Sequence, residues 1–131
     1  MAIAEQDSSH RNSAAWQKGM ELARLVYKAT RHFPPDERFG LTNQLRRASV
    51  SIPSNIAEGK GRLTTGEFIQ FLGIARGSTL EVQTQLELAL DLGFGDPAEI
   101  AAAQALVSEQ LRILNASLAT LRAKAAVKKQ H

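Results

Sequence analysis

Leu41-Thr42-Asn43-Gln44-Leu45-Arg46-Arg47-Ala48-Ser49-Val50-Ser51-Ile52-Pro53-Ser54-Asn55-Ile56-Ala57-Glu58-Gly59 is the stretch from which the fold is read. Leu41, Leu45, Ala48, Ile52 and Ile56 recur at steps of four and three, the spacing that keeps side chains on one face of an α-helix. Pro53 interrupts this pattern. It has no N–H and crowds the carbonyl of Ser49, which in an ordinary helix interior costs about 3 kcal/mol. Ser49, Ser51, Ser54 and Asn55 surround it with groups able to bond the freed backbone. A restart at Pro53 leaves Ile52 as a poor cap, so a kinked, continuous helix is the preferred geometry. The kink either curves the helix around the core or, with Glu58 and the small residues beside it, offers a contact surface to another chain.

The same periodicity extends outward on both sides. Upstream, Ser13 is placed to cap a helix carrying Trp16, Met20, Ala23, Tyr27 and Thr30, and Phe33-Pro34-Pro35 ends it. Asp36 is a cap for the helix quoted above unless Gly40 first splits off a short turn, and Gly59 reads as its stop. Downstream, Thr64-Thr65-Gly66-Glu67 has the form of a capping box. Phe68, Leu72, Ala75, Thr79, Val82, Leu86 and Ala89 follow on helical spacing until Gly93 and Gly95. Asp96-Pro97-Ala98-Glu99 opens a fourth helix with a cap, a first-turn proline and a carboxylate at the positive dipole end. That helix carries Ile100, Val107, Leu111, Leu114, Leu118 and Leu121.

Short connections make neighbouring helices antiparallel, and the last two patterns each span about 40 Å. The expected fold is all-α: an antiparallel up-down four-helix bundle over residues 13–123, with a flexible arm at 1–12 and a basic tail at 124–131. Leu106 and Ile113 in the fourth helix, and Phe71, Ile74 and Leu88 in the third, widen the apolar surface beyond one seam. They belong either to a broad core face or to a second face that buries against another subunit.

The chain has 131 residues, room for one domain, and no cysteine. Its start has no basic, apolar and small-residue succession of a signal peptide, and its apolar runs fall far short of a membrane span. A soluble cytoplasmic protein is expected, with no membrane partner. Charge is unevenly spread. Residues 38–62 carry +4, residues 63–111 carry −6 and residues 112–131 carry +5, within a net +3. Such separation suits contacts between unlike faces or a patch for a polyanion. Arg46, Arg47, Lys60 and Arg62, then Lys124, Lys128 and Lys129, are the candidate phosphate contacts; solvated charge is the competing reading. No aromatic lies within these clusters in the chain, so sequence-tolerant binding is expected.

Catalysis is not expected. His10, His32 and His131 form no pair at metal-ligand spacing, no Glu-x-x-His of a di-iron bundle occurs, and no phosphate-cradling glycine motif is present. Glu58 and Glu81 are isolated carboxylates beside seams. No cofactor and no metal are expected.

Trp16, Tyr27, Phe33-Pro34, Phe39 to Ala48, Ser51 to Gly59, Arg62, Glu67-Phe68, Phe71-Leu72, Ala75 to Ser78 and Glu81 resemble the 23S rRNA-intervening sequence proteins, over roughly residues 14–122. The resemblance implies a bundle assembled as a ring or barrel of five subunits. It also implies kinship with the accessory variability determinant of diversity-generating retroelements, a basic pentamer that binds nucleic acid and a reverse transcriptase. On that basis Ser51, Pro53, Asn55, Glu58, Gly59, Glu67 and Glu81 are the expected structural and interface positions. The expected function is a non-enzymatic oligomer binding RNA, DNA or a nucleic-acid-processing partner. A protein–protein adaptor without nucleic acid is the alternative.

Overall fold

The computed structural model of the chain describes residues 10–130, and side chains as far as residue 128. Among the described residues it has four full helices, α1 (Ala14–Thr30), α2 (Leu41–Lys60), α3 (Thr65–Leu92) and α4 (Pro97–Gln130), with a 3-10 turn at Pro35–Glu37. α1 and α3 each pack their backbones closely against α2 and α4 and stand diagonal to one another. The four helices therefore stand at the corners of a bundle around one core. Leu22, Leu45, Ile52, Ile56, Leu72, Leu86, Ile100 and Leu114 are its largest fully buried apolar side chains.

The helix ends follow the chemistry of their residues. Ser13 Oγ accepts from Trp16 N–H at 3.2 Å, and Thr64 Oγ1 accepts from Glu67 N–H at 3.1 Å. The return half of the capping box differs from expectation, because Glu67 Oε1 accepts from the Thr64 hydroxyl at 3.0 Å. Gly93 closes α3 in the left-handed conformation, φ 73°, which a side chain would resist. Asp96 Oδ1 then accepts from Ala98 N–H at 2.9 Å, ahead of Pro97 in the first turn of α4.

Two local expectations are corrected and one open choice is decided. The core face of α1 is Ala15, Gly19, Leu22, Val26, Ala29 and Thr30, whereas Trp16, Met20 and Ala23 are half-buried and Tyr27 is exposed. Both stripes run at helical spacing one residue apart, about 100° around the helix, and the bulkier stripe is the outer one. Of the two starts open for α2, the one after a short turn holds: the helix begins at Leu41 behind Gly40, and Glu37 Oε1, not Asp36, accepts from the Leu41 N–H at 3.0 Å. Gly59 is not a left-handed stop. α2 runs on to Lys60, and Gly59 is buried where a Cβ would stand 2.8 Å from Phe71 Cβ and 3.0 Å from Phe68 Cδ1.

Pro53 lies inside a continuous α2, so the helix does not stop and restart there. Its neighbours are bonded. Ser49 Oγ donates to Arg46 O at 2.9 Å, and Asn55 Nδ2 donates to Ser51 O at 2.8 Å and to Ser51 Oγ at 2.9 Å. Ser51 Oγ in turn lies 2.9 Å from Ser78 Oγ on α3, so the amide, two hydroxyls and the backbone form one chain across the α2–α3 seam. α4 continues through Gln130, setting Lys124 and Lys128 on the helix. Of the arm expected at 1–12, residues 1–9 lie outside the described residues. His10 and Arg11 are helical and lie against the start of α1, where the His10 ring stands edge-on to Trp16 and Gln17 Nε2 donates to Arg11 O at 2.7 Å.

The seam predicts a specific sensitivity. Asn55→Leu removes the donor that serves both Ser51 acceptors and costs about 1–3 kcal/mol, while the exposed Ser54→Ala changes stability by less than about 0.5 kcal/mol. Urea denaturation of both variants checks this, and equal midpoints refute the role given to Asn55.

Candidate nucleic-acid interface

The basic residues divide into a flank and an end. On the flank, Arg46 and Arg47 are adjacent on α2 and point to different neighbours. Arg46 is half-buried; its Nε donates to Thr30 Oγ1 at 2.8 Å and its guanidinium stands 4.6 Å from the Tyr27 ring centre. Thr30 passes the polar contact on, its hydroxyl donating to Val26 O at 2.8 Å. Arg47 is exposed and lines a polar recess of about 380 Å³ between α2 and α3, with Asn43, Gln44, Ser51, Ser78 and Glu81.

At the end, Lys60 and Arg62 close α2 and enter the turn to α3. Lys60 Nζ lies 5.7 Å from the Phe68 ring centre, and the Arg62 guanidinium 4.6 Å from that of Phe71. Arg62 also makes a loose contact with Glu58, at 3.6 Å, with both side chains well exposed. Lys60 shares a depression with Ser117, Thr120 and Leu121 of α4. Lys124 and Lys128 follow one and two turns further along that helix, so the structure brings them to the same end of the bundle as Lys60. Lys129 lies beyond the described side chains.

The expectation that no aromatic accompanies the cations is corrected. Tyr27, Phe68 and Phe71 come from other helices and lie under Arg46, Lys60 and Arg62, a pairing that only the bundle geometry creates. The motif residues are likewise redistributed. Ser51, Asn55 and Glu81 meet at the α2–α3 seam, where Glu81 Oε2 accepts from Gln85 Nε2 at 3.3 Å. Pro53 is turned toward α1, Glu67 caps α3, and Glu58 and Gly59 sit at the end of α2.

Sequence reading missed a groove between α1 and α2 of about 650 Å³, lined by Trp16, Met20, Tyr27, Val50, Pro53 and Ala57 with Arg24 and Arg31. Its signal in the sequence is the Trp16-Met20-Ala23-Tyr27 stripe, whose spacing marks one helical face without saying what covers it. Sequence reading also missed Gln110, fully buried and donating through Nε2 to Ala15 O at 2.8 Å. Elsewhere, Lys18 bridges Glu21 and Glu109 at 3.4 and 3.5 Å, and chiefly Glu109 raises its pKa above the usual lysine value. His32 Nδ1 stands 3.0 Å from Glu99 Oε1. Among the described residues no three His, Cys, Asp or Glu side chains converge on a metal-sized site. No described helix is long and apolar enough to cross a membrane.

These features define an all-helical, four-helix protein whose charged side chains stand at its surface. The chain belongs to the 23S rRNA-intervening sequence protein family, whose pattern it matches over residues 11–116. Its fold is shared by a crystallised protein of unknown function from the S23 ribosomal protein family of Bacteroides thetaiotaomicron. The two superpose with a TM-score of 0.74 at 21% identity, over 80% of this chain and 98% of the other. No curated protein matches the chain. Neither the family description nor that of the neighbour names a reaction.

The anchored and the free arginine are predicted to behave differently. Arg46→Ala loses the Thr30 bond and the Tyr27 contact and costs about 1–2 kcal/mol, whereas Arg47→Ala stays within about 0.5 kcal/mol. Denaturant midpoints of the two variants check the difference, and an equal loss in both overturns the assignment.

Proposed function

We propose that the chain is a non-enzymatic, antiparallel up-down bundle that assembles into a ring in the cytoplasm and binds the phosphate backbone of RNA or DNA. The observation that carries the binding is the basic end. Lys60, Lys124 and Lys128 gather there with Arg62, and none of the three lysines forms an ion pair among the described residues. Cations without internal partners are free to displace counterions from a polyanion. The rings of Phe68 and Phe71 beside them add surfaces on which unpaired bases stack without selecting sequence. Repetition of this end around a ring multiplies the attraction.

The antiparallel order is supported by which residues meet. Gly19 lies against Ile52 and Pro53 while Thr30 lies against Arg46; Ser51 meets Ser78 while Gln44 meets Gln85. On α3 and α4, Arg76 Nε donates to Asn115 Oδ1 at 2.7 Å. The adaptor reading draws on a different observation, the apolar α1–α2 groove, whose lining suits a polypeptide better than a phosphate.

Retention of structured RNA and of duplex DNA over a salt series tests the binding. The expected slope of log affinity against log salt is about −0.7 to −0.9 per phosphate contacted, and the quadruple change Lys60→Ala, Arg62→Ala, Lys124→Ala, Lys128→Ala flattens it. Absence of retention at low salt, or retention indifferent to salt, overturns the proposal. A protein captured after nuclease treatment, with no nucleic acid bound, favours the adaptor.

A further inference from the structure

Two surfaces remain that phosphate binding does not use. The first is the α1–α2 groove. Trp16, Met20, Val50 and Pro53 give it an apolar floor, and Arg24 and Arg31 stand on its rim without an ion pair among the described residues. The second is the outer face of α3. Ile74, Gly77, Glu81, Leu88 and Asp91 follow one another at steps of three, four, seven and three, so they share one side of the helix. All five are exposed, including Ile74 at 45% and Leu88 at 47%.

The glycines of this face have no internal purpose. A Cβ on Gly73 or Gly77 would meet nothing within 4 Å, so the protomer's own packing asks for neither. Glycine in mid-helix weakens the helix, and what it offers in return is close approach by a foreign backbone. Charge points the same way. α3 carries Glu67, Glu81, Glu87 and Asp91 against one cation, Arg76, which is engaged with Asn115. The groove rim carries arginines and its lining contains no carboxylate. Length agrees as well. Trp16 to Arg31 along the groove, and Gly73 to Leu88 along the ridge, each cover about 22 Å of helix.

We propose that the outer face of α3 in one copy seats in the α1–α2 groove of a second copy. The contact rests on the assembly proposed above and names the two surfaces that make it. Gly73 and Gly77 let the ridge sink between Trp16 and Val50; Ile74 and Leu88 cover the apolar floor; Glu81, Glu87 and Asp91 meet Arg24 and Arg31. Groove and ridge are different surfaces, so the contact is head-to-tail and each bound copy still offers one of each. Such a contact closes into a ring when the rotation permits.

Mixing two variants tests it. Gly77→Leu blocks the ridge and has open space in its own protomer; Val50→Glu spoils the groove from an exposed position. Light scattering at tens of micromolar is expected to give an oligomer for the unmodified chain and a monomer for each variant, with helical circular dichroism unchanged. Their equimolar mixture is expected to form a dimer and stop, since only one intact groove and one intact ridge remain. A monomeric unmodified chain overturns the assembly and this contact together. An assembled unmodified chain whose variants keep their mass overturns this contact alone. Should Val50→Glu lose helicity, the double change Arg24→Glu, Arg31→Glu takes its place, with the same monomer and the same dimeric mixture expected.

Discussion

α1 and α2 approach closely where Gly19 faces Ile52 and Pro53, and both seams of α2 are built around that approach. A Cβ on Gly19 would lie 3.3 Å from Pro53 N, 3.2 Å from Ile52 Cγ2 and 3.3 Å from Gln110 Nε2, so the glycine leaves just enough space for α2 and α4 at once. Proline brings no N–H to this crowded point and leaves no donor to be buried there. The opposite side of the same two turns of α2 is polar, where Asn55 and Ser51 reach Ser78 on α3. One short segment therefore sets both seams of α2, a steric one toward α1 and a hydrogen-bonded one toward α3. Gly59, nearly two turns on, repeats the steric device against Phe68 and Phe71, where a side chain would collide with the first turns of α3.

That framework decides what the charges are free to do. Arg46 is tied down by Thr30 and Tyr27, so it contributes to the α1–α2 seam before it contributes to any partner. Arg47, one residue later, stays in solvent because the helix turns it about 100° away. At the basic end Lys60 rests beside the Phe68 ring, and Arg62 lies over Phe71 in addition to its loose contact with Glu58. A cation over a ring keeps its full charge, whereas one in an ion pair is partly neutralised. The bundle thus keeps its basic end charged, while Glu81, Glu87, Asp91, Asp96 and Glu99 follow one another along α3 and into the start of α4.

Fold class, helix order and most caps were legible in the sequence because they depend on local rules. The stripes of α2 and α3 were read correctly: Leu45, Ile52, Ile56, Leu72, Val82 and Leu86 are all buried. α1 was not, because periodicity gives the spacing of a face and says nothing of which of two adjacent faces turns inward. Ala15, Gly19 and Ala29 are small and Trp16, Met20 and Tyr27 are large, so bulk pointed to the wrong stripe. The aromatic partners of the cations were illegible for a similar reason. Tyr27 is 19 residues from Arg46, and only tertiary packing brings them together. Gly59 read as a terminator because glycine serves both left-handed turns and close contacts, and chain position alone does not separate the two.

The core explains why the leftover surfaces matter. Every buried apolar stripe of the four helices is already spent on its neighbours, yet Ile74, Leu88, Val50 and Tyr27 remain at 41% exposure or more. A chain selected only for a stable protomer would replace Gly73 and Gly77 with better helix formers, each worth roughly 1 kcal/mol. It would also have no reason to hold an apolar groove open to water. Both features weaken the single copy, one through the helix backbone and one through hydration. They make physical sense together when the protomer is not the final structure, and each feature removes the cost of the other.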